Sequence, residues 1–491
     1  MDDFTTRVES SMHASGQGWR MANRQLALVA LLASAVLAIA IQCFWMPLDS
    51  DVSWLITVSE RVLGGDRLYV DIIEVNPPAS VWMYLPLVWL AHLVGIRPEA
   101  VVASAFILAS ILSMLITMRL ASRLERPPPP LWLVPILGFA ALVLPMGLFA
   151  QREHAALLLA IPALAALALI AEGKALSKRV LCAAGLAAGL VIVIKPPFAL
   201  AIALPAIWAT LKRKSVKPLL LPMAVGVAAT LAYAFAVVTL TPDYLKLLPL
   251  IGQTYARMHE VMWKVVVGPS LFPFACLALA ILLRPKHASP LAIAWGLGSA
   301  GFVLAAILQA KNYPNHWLPG TALGIAALAA VLAQASIPAL RRSAVCAALA
   351  IFMGTAMYQW AIRPEPAVTA AILKVAPPHP TVIALSPELR TGHPVTRIIG
   401  GRWVGSSAGL FTAAAAQFVG LHDSDSQKAY RDDLSTFAAD VKRNSPDIVL
   451  VDRDSKSWLL REPVIVRAMR PYRPAIAAKD TEVWVRKAGK R

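Results

Sequence analysis

Long apolar runs alternate along this chain with short polar stretches, most of them basic. An α-helix rises about 1.5 Å per residue, so about 20 apolar residues cross a hydrocarbon layer of about 30 Å. The first such run extends from about Gln25 to Met46. Further candidate spans are Ala79–Val94, Ala100–Met118, Leu131–Phe149, Ala155–Ala171, Val180–Ile194, Phe198–Thr210, Leu219–Leu240, Val265–Leu283, Leu291–Gln309, Leu318–Ile337 and Val345–Ala361. The pattern predicts an all-α polytopic membrane protein with about 11–12 transmembrane helices over 25–361.

Composition supports this class. Apolar residues make up 58% of the chain and charged residues 15%, whereas soluble proteins carry about 25% charged residues. The net charge of +18 would suit a polyanionic partner, but many basic residues lie in short loops such as Leu211–Lys217 and Gly173–Arg179. The positive-inside rule accounts for such loops, so the predicted partner is the lipid bilayer and no nucleic acid. The four cysteines lie far apart in apolar segments and indicate no metal site.

The basic loops also predict an orientation in a cell inner (plasma) membrane. We expect residues 1–24 to form a cytoplasmic tail, and the loop Arg119–Pro130 to lie on the same side. With that assignment, Ala79–Val94 and Ala100–Met118 cannot both cross completely. We expect Ala79–Val94, which is short and contains Pro86, to lie in the interface or re-enter, which leaves eleven full spans. The alternative is that Arg119–Arg126 faces outward.

The pattern changes after about residue 361. Thr381–Leu385, Asp447–Asp452 and Glu482–Lys487 have the β-branched and aromatic content of strands, and the segment from Ser426 to Asp447 has the periodicity of an amphipathic helix. These elements predict a small α/β domain over 362–491, on the extracytoplasmic face. It contains no phosphate loop, metal-ligand spacing or nucleophile motif, so we expect it to recognise or cover something.

Six acidic residues lie between Pro47 and Ser80, although the whole chain has only 28. This region includes the predicted first extracytoplasmic loop, residues 47–78. Asp49 and Asp51 are two positions apart, so both carboxylates face the same way on an extended segment. At a membrane surface they can act as a general base or hold a cation. The structural alternative is that Asp49 or Ser50 caps the helix that follows.

The other acids of this loop divide into two groups. Glu74 precedes Val-Asn-Pro-Pro, where the prolines hold the backbone extended as the chain enters the bilayer, so we expect it at the depth of the two aspartates. Glu60, Asp66 and Asp71 are expected to form a solvated helix face and turn.

Further polar groups fall on the same predicted face of the membrane: Gln151–His154, Lys195, Asp243–Lys264 and Lys311–Trp317. Ionisable groups at the ends of spans that share a side can line one cavity, and such groups are functional candidates. Three alternatives stay open at this point. Arg152 and Glu153 can simply pair with each other, Lys195 can extend to the lipid headgroups, and Tyr313, His316 and Trp317 can belong to an interfacial aromatic belt.

The order of these motifs resembles GT-C glycosyltransferases, a class of polytopic enzymes that includes the protein O-mannosyltransferases and the lipid A aminoarabinose transferases. The resemblance rests on an apolar span, Asp-Ser-Asp, a helix ending in Leu-Gly-Gly-Asp-Arg-Leu-Tyr, and Glu-Val-Asn-Pro-Pro. Gln-Arg-Glu-His at 151–154 stands where the family has a second acid, and Gln309–Pro319 is similar to its lumenal loop with Lys, Tyr, His and Pro. Relatives often have Asp-Glu or Glu-Lys-Pro-Pro in the first loop, which this chain lacks.

The resemblance implies an inverting transfer of a sugar from a polyprenyl-phosphate donor to an envelope acceptor, which can be a glycolipid, a polysaccharide or a protein. It implies Asp51 as the base, because the spacing of Asp51 to Trp54 and Gly64-Gly65 matches the family pattern. Asp49 and Glu74 are then expected to orient the acceptor or a cation. The sequence indicates no definite cofactor; Asp-x-Asp is compatible with a divalent cation, and both possibilities, with and without a metal ion, stay open.

The resemblance implies that the basic residues receive the phosphate of the lipid donor. The candidates are Arg152, Lys195 and Lys311. Glu153 is expected to position Arg152, and His316 and Tyr313 to contact or orient the acceptor.

Two other functions fit parts of the pattern. A transporter or lipid flippase of envelope precursors is one, but transporters place charges at the membrane midplane, often within inverted repeats. Here the charges lie at the ends of the spans and no repeat is visible. The other is a membrane scaffold that binds an envelope partner through residues 362–491.

Overall fold

The computed structural model describes residues 25–45, 48–267, 271–285, 288–334, 338, 345, 347–349, 351–352, 354, 366–420 and 424–487. The predicted cytoplasmic tail 1–24, most of the predicted span Val345–Ala361 and the predicted boundary between residues 361 and 362 lie outside this part of the chain.

Helices account for most of the described residues up to 334. They are α1 (Gln25–Phe44), α2 (Ser50–Leu63), α3 (Pro78–Trp82), α4 (Leu85–Val94), α5 (Pro98–Ala121), α6 (Pro130–Gly138), α7 (Arg152–Glu172), α8 (Lys178–Ile194), α9 (Ala199–Arg213), α10 (Leu220–Leu240), α11 (Pro242–Arg257), α12 (Met262–Val267), α13 (Leu271–Leu282), α14 (Pro290–Gln309) and α15 (Pro314–Leu332).

Helices and strands alternate in the C-terminal part. They are α16 (Pro366–Val375), β1 (Thr381–Leu385), α17 (Leu389–Gly392), α18 (Val395–Ile398), β2 (Arg402–Trp403), α19 (Phe411–Val419), α20 (Ser424–Asn444), β3 (Ile448–Asp452), α21 (Arg453–Leu459), α22 (Pro463–Met469), β4 (Tyr472–Ala478) and β5 (Thr481–Arg486). The fold class predicted from the sequence, a polytopic helical protein with a small C-terminal α/β part, is confirmed.

Six helices of the described part are long and apolar enough to cross a membrane. They are α1, α5, α7, α14, α15 and Lys217–Leu240, which contains α10. Shorter apolar helices occupy Pro78–Val94, Pro130–Val143, Leu271–Leu282 and Pro366–Val375. The chain is therefore a multi-pass membrane protein by the length and composition of its helices, and the total of eleven or twelve spans stays a prediction.

The predicted span Ala79–Val94 is not one continuous helix. It is divided into α3, of 5 residues, and α4, of 10 residues, with a break at Met83 and Tyr84. Gly95 ends α4 in the left-handed conformation, with φ of 68°. At about 1.5 Å per residue, neither helix alone crosses about 30 Å of hydrocarbon. The interfacial or re-entrant placement of this segment stays a prediction.

The chain folds into two compact units, each built from segments that are distant in the sequence. The described residues of Met1–Trp45, Phe106–Leu231 and Met262–Ala361 form one, called here the helical unit. Those of Met46–Ala105, Ala232–Val261 and Ile362–Arg491 form the other, the mixed unit, which joins the first loop to the C-terminal residues. The domain boundaries predicted from the sequence stay a prediction.

The core of the helical unit consists of α7, α9, α14 and α15. All residues of α15 between Asn315 and Leu332 are buried, and most of α7 is buried as well. Small residues let these helices approach closely, which is the usual basis of helix packing in lipid. A Cβ atom on Gly301 of α14, for example, would lie 2.4 Å from the Ala201 Cα of α9.

A second close approach joins α8 and α10. A Cβ atom on Gly185 would lie 2.3 Å from the Pro222 carbonyl oxygen, and one on Gly189 would lie 2.7 Å from the Gly226 carbonyl oxygen. The backbones of these two helices are therefore in direct contact at these positions.

The sheet of the mixed unit has the strand order β2-β1-β3-β5-β4. Strands β2, β1 and β3 are parallel, whereas β5 pairs antiparallel with both β3 and β4. Every residue of β3 is buried, as expected for a central strand with an apolar sequence. The predicted strands that begin at about residues 381, 447 and 482 are confirmed, and so is the amphipathic helix predicted between Ser426 and Asp447, which spans Ser424–Asn444. Strands β2 and β4 were not predicted from the sequence.

The close contact at Gly301 predicts a difference in stability between two variants of α14. Gly301→Ala places a methyl group against the backbone of α9, and such overpacking costs about 1–3 kcal/mol. Gly296→Ala, whose Cβ would meet only Leu277 and Ala327 at 3.8 and 3.9 Å, should be neutral or slightly stabilising. The measurement is the apparent melting temperature of each purified variant in detergent. Equal shifts for the two variants would contradict the packing described above.

Candidate functional site

Helix α2 begins immediately after the first span of the sequence pattern. Asp49 is its N-cap residue, and Asp49 Oδ1 accepts a hydrogen bond of 2.8 Å from the Asp51 backbone N–H. Only 3% of Asp49 is exposed. The capping role considered for Asp49 is therefore confirmed. Asp51 lies in the first turn of α2 and is partly exposed.

The carboxylate of Glu74 is buried beside this helix, with 1% of the residue exposed. The indole N–H of Trp54 in α2 donates to Glu74 Oε2, and the Asn76 backbone N–H donates to Oε1 at 2.7 Å. The Tyr69 hydroxyl in turn donates to the Asn76 carbonyl oxygen at 2.6 Å. These bonds fix the orientation of Glu74 and tie it to the helix that carries Asp51. This role of Trp54 was not predicted from the sequence.

The other acids of the first loop are engaged in ion pairs. Glu60 was expected to face water, but its side chain is only 30% exposed, and its carboxylate accepts two hydrogen bonds from Arg397, of 2.5 and 2.9 Å. Asp66 pairs with Arg61 at 2.7 Å, and Asp71 pairs with Arg67 at 3.1 Å. The side chains of Asp66 and Asp71 are each 42% exposed, so the prediction of a solvated turn is confirmed for these two residues.

Glu153 and Lys195 form a buried ion pair in the helical unit. Lys195 Nζ lies 2.9 Å from Glu153 Oε1, and the Lys195 and Glu153 side chains are 16% and 0% exposed. Lys195 Nζ also lies 5.6 Å from the ring centroid of Phe198. The Lys195 ammonium is thus held within the protein, and it does not simply extend to the headgroups. Arg152, next to Glu153, is close enough for its charge to act on that carboxylate.

Lys311 lies in the short connection between α14 and α15 and is 7% exposed. Burial, followed by the positive charge of Lys195, lowers the pKa of the Lys311 ammonium to about 7. The flanking residues Ala310 and Asn312 have φ of 48° and 53°, in the left-handed region that costs free energy for residues other than glycine. Strained backbone of this kind occurs most often where a chain holds a functional group in place.

His316 and Trp317 follow in the first turn of α15. They are only 5% and 2% exposed, which excludes for these two residues the alternative of an interfacial aromatic belt. His316 lies within the electrostatic influence of Lys195 and Lys311. Tyr313 is 43% exposed, and its ring centroid lies 5.6 Å from that of His316.

Several buried polar atoms around these cations have no hydrogen-bond partner among the described residues. They are Glu153 Oε2, His316 Nδ1, Asn312 Oδ1 and Trp317 Nε1. A buried polar atom left without a partner costs about 1–3 kcal/mol. A polar ligand that supplied acceptors and donors here would remove this cost, so the cluster has the properties of a binding site for a charged polar group.

His154, by contrast, has a structural role. Its Nδ1 accepts a hydrogen bond of 3.1 Å from the Ala150 backbone N–H, and its Nε2 lies 2.8 Å from the Ala141 carbonyl oxygen, to which it donates. Both ring nitrogens are therefore used within the protein, and the ring packs against Phe149.

The predicted site residues thus divide between the two units. Asp49, Asp51 and Glu74 lie in the mixed unit, whereas Arg152, Glu153, Lys195, Lys311, Tyr313 and His316 lie in the helical unit. Within each unit the structure brings distant residues together: Trp54 with Glu74, and Glu153 with Lys195. The described residues contain no group of three His, Cys, Asp or Glu side chains that could hold a metal ion.

No protein-family model matches the sequence, and a search of curated protein sequences finds no relative of it. The fold, however, is similar to solved structures. ArnT from Cupriavidus metallidurans bound to undecaprenyl phosphate matches with a TM-score of 0.56 and 14% identity, covering 95% of this chain and 98% of ArnT. The apo state of ArnT matches with a TM-score of 0.55 over 96% and 98% of the two chains, also at 14% identity.

An archaeal oligosaccharyltransferase, AglB from Archaeoglobus fulgidus in complex with an inhibitory peptide and a dolichol-phosphate, matches more weakly. Its TM-score is 0.44 at 12% identity, over 94% of this chain and 74% of AglB. The similarity to ArnT extends over nearly the whole length of both proteins, and on that basis the chain has a GT-C-like membrane fold. This confirms the fold to which the motifs of the sequence pointed.

The bond from Trp54 to Glu74 predicts that this indole N–H stabilises the mixed unit. Trp54→Phe removes a donor from a buried carboxylate, and we expect a loss of about 1–3 kcal/mol in the free energy of unfolding. Trp89→Phe is the control, because Trp89 is 56% exposed. Thermal unfolding in detergent should show a lower apparent melting temperature for Trp54→Phe alone, and an unchanged value for this variant would contradict the prediction.

Proposed function

We propose that this protein is an integral-membrane glycosyltransferase that transfers a sugar from a polyprenyl-phosphate donor to an envelope acceptor. The GT-C-like fold supports the reaction class, and the similar ArnT structure was solved with undecaprenyl phosphate bound. In this proposal the reaction takes place on the extracytoplasmic face of the inner membrane, with the C-terminal residues 362–491 on that side. The acceptor is a glycolipid, a polysaccharide or a protein of the envelope.

The arrangement of the three carboxylates of the first loop is the observation that carries the assignment of the base. Asp49 is buried and caps α2, and Glu74 is buried between Trp54 and Asn76. Asp51 is the one that is partly exposed, at the start of a helix whose position these bonds fix. A general base has to come within hydrogen-bond distance of an incoming hydroxyl group, so Asp51 is the base in this proposal. Asp49 and Glu74 orient the loop around it.

The reaction that follows is a single displacement. The acceptor hydroxyl oxygen attacks the anomeric carbon of the donor sugar, and its proton passes to the Asp51 carboxylate. A new bond forms between the acceptor oxygen and the anomeric carbon as the bond from that carbon to the phosphate oxygen breaks. The polyprenyl phosphate leaves with the bonding electrons, and the configuration at the anomeric carbon is inverted.

The leaving phosphate gains negative charge, which positively charged groups stabilise. We assign this role to Lys311 and Lys195, with Arg152 contributing a further positive charge. The pair between Glu153 and Lys195 keeps the Lys195 ammonium in place. His316 lies beside these groups, and its Nδ1 has no hydrogen-bond partner among the described residues, so it can contact a bound polar group.

Two substitutions at neighbouring positions test the base. Asp51→Asn removes the proton acceptor, and we expect the transfer rate to fall by about 10²–10⁴-fold. Asp49→Asn is the matched control, because asparagine caps helices as well as aspartate does, so this variant should keep most of the activity. The measurement is product formation by mass spectrometry, with purified protein in liposomes that contain a polyprenyl-phosphate-linked sugar and envelope lipids.

Three results would contradict parts of this proposal. Undiminished transfer by Asp51→Asn would exclude it as the base. A comparable loss in Asp49→Asn would show that Asp49 takes part in the chemistry. Uptake of the donor by wild-type liposomes without any transfer product would favour a transporter or flippase.

The pKa of Lys311 predicts that binding of a lipid phosphate depends on pH. This pKa is lowered to about 7, so the ammonium is charged below pH 7 and loses its charge as the pH rises above it. Hydrogen bonds to charged groups contribute about 1.5–3 kcal/mol, so deprotonation should weaken the binding of polyprenyl phosphate by about tenfold or more between pH 6 and pH 9.

Lys311→Arg should remove most of this dependence, because arginine remains protonated throughout the range. Comparison of the two proteins also cancels the titration of the phosphate itself. The measurement is the dissociation constant of polyprenyl phosphate at several pH values, and parallel curves for wild type and Lys311→Arg would contradict the assignment.

A further inference from the structure

Arg397 is the centre of an ion-pair network in the mixed unit. It lies in α18, and its side chain is 12% exposed. Nη1 and Nη2 donate to the two oxygens of Glu60 at 2.5 and 2.9 Å, and Nε donates to Glu99 Oε1 at 2.7 Å. Nη1 also lies 3.3 Å from Thr57 Oγ1. One guanidinium group thus joins two carboxylates that lie 39 positions apart in the sequence.

The geometry of these bonds requires arginine. The planar guanidinium group makes a bidentate contact with Glu60 and directs a third N–H toward Glu99. The ammonium of lysine is a point charge and cannot reproduce this planar arrangement of donors. The contact with Arg397 therefore fixes the orientation of α2, in addition to the electrostatic attraction between Arg397 and Glu60. Thr57 and Glu60, one turn apart, place the contact on one face of the helix.

The position of Asp51 depends on this orientation because both residues belong to one rigid helix. Glu60 lies nine residues after Asp51, which is about 14 Å along an α-helix. A tilt of about 4° around Glu60 therefore moves Asp51 by about 1 Å. Displacements of this size from a reactive geometry can lower the rate of a reaction by about 100-fold.

The residues on either side of Arg397 make further contacts with the first loop. The His393 ring centroid lies 5.2 Å from that of Trp54, and 4.6 Å from that of Trp403. The Ile73 backbone N–H donates to the Ser406 carbonyl oxygen at 2.7 Å. The segment from His393 to Ser406 therefore contacts both α2 and the strand-like residues that precede Glu74.

We propose that Arg397 is a positioning residue: it acts through Glu60 to set the orientation of α2 and thus the place of the Asp51 carboxylate. This inference rests on the proposed function, and it assigns to the C-terminal α/β residues an indirect part in sugar transfer, through the position of α2. From the sequence, those residues were expected to recognise or cover something. In the present proposal they hold the base in place for the reaction.

Variants of Arg397 separate positioning from binding. Arg397→Gln should lower kcat by about 10–100-fold and change the KM for the lipid donor by less than about threefold, because the donor phosphate is assigned to other residues. Arg397→Lys keeps the charge and should recover only part of the activity. The control is Arg402→Gln, which removes an exposed arginine from the same cleft and should behave like the wild type.

Glu60→Gln tests whether Arg397 acts through Glu60. If it does, Glu60→Gln alone should lower kcat, and the double variant Arg397→Gln with Glu60→Gln should be little worse than Arg397→Gln. The proposal would be overturned if the effects of the two single substitutions on kcat multiplied in the double variant. A change in KM with kcat unchanged would overturn it as well. Wild-type kcat with Arg397→Gln in folded protein would also overturn it.

A second readout is independent of sugar transfer. Asp51→Cys, in a chain whose four native cysteines are replaced by serine, is labelled with a membrane-impermeant maleimide. Adding Arg397→Gln should change the labelling rate by about threefold or more, whereas adding Arg402→Gln should leave it unchanged. An unchanged rate with Arg397→Gln would overturn the positioning role even if the wild type proved to have another activity. A changed rate without any sugar transfer by the wild type would overturn only the proposed function.

Discussion

The free-energy cost of removing charge from water governs where this chain places its ionisable side chains. An ion taken out of water without a partner is costly, and the cost falls only when an opposite charge or several hydrogen bonds replace the lost hydration. Three groups of ionisable side chains described here follow that rule. Glu153 pairs with Lys195, Glu74 lies between the N–H groups of Trp54 and Asn76, and Arg397 joins Glu60 to Glu99. The contacts of Glu153 with Lys195 and of Arg397 with Glu60 and Glu99 hold together segments that are far apart in the sequence.

The same free-energy cost explains the chemistry that the carboxylates of the first loop and the buried cations of the helical unit can support. The carboxylates of Asp49 and Glu74 accept hydrogen bonds within the first loop, so they help to fix the position of Asp51. In the helical unit, Lys311 is buried near another cation, which makes its ammonium more acidic than usual and sensitive to the arrival of an anion. A group in this state gains more from binding a phosphate than a solvated lysine does, because burial has already removed part of its hydration.

The fold was largely predictable from the sequence because it depends on local patterns. Apolar runs, caps and prolines define the helices, and β1 and β3 have the composition of buried strands. The contacts of the ionisable residues were much less predictable. Glu60 was expected in water because its position in α2 gives no sign of Arg397, 337 positions further along the chain. The N-cap role of Asp49 could be considered from the sequence, because N-cap preferences are local. The partner of Lys195 could not be identified in this way, because it depends on the packing of α7 against α8. Short strands such as β2, with two residues, also carry too little pattern to be identified.

The direct backbone contact between α8 and α10 also limits where a lipid can enter the helical unit. A polyprenyl chain is about as wide as an acyl chain, and it needs a groove between helices that are separated by side chains. Where the Gly185 and Gly189 positions of α8 touch Pro222 and Gly226 of α10, the two backbones close that groove. No groove is left between these two helices at that level, so under the proposed function a lipid carrier has to approach the unit along another pair of helices.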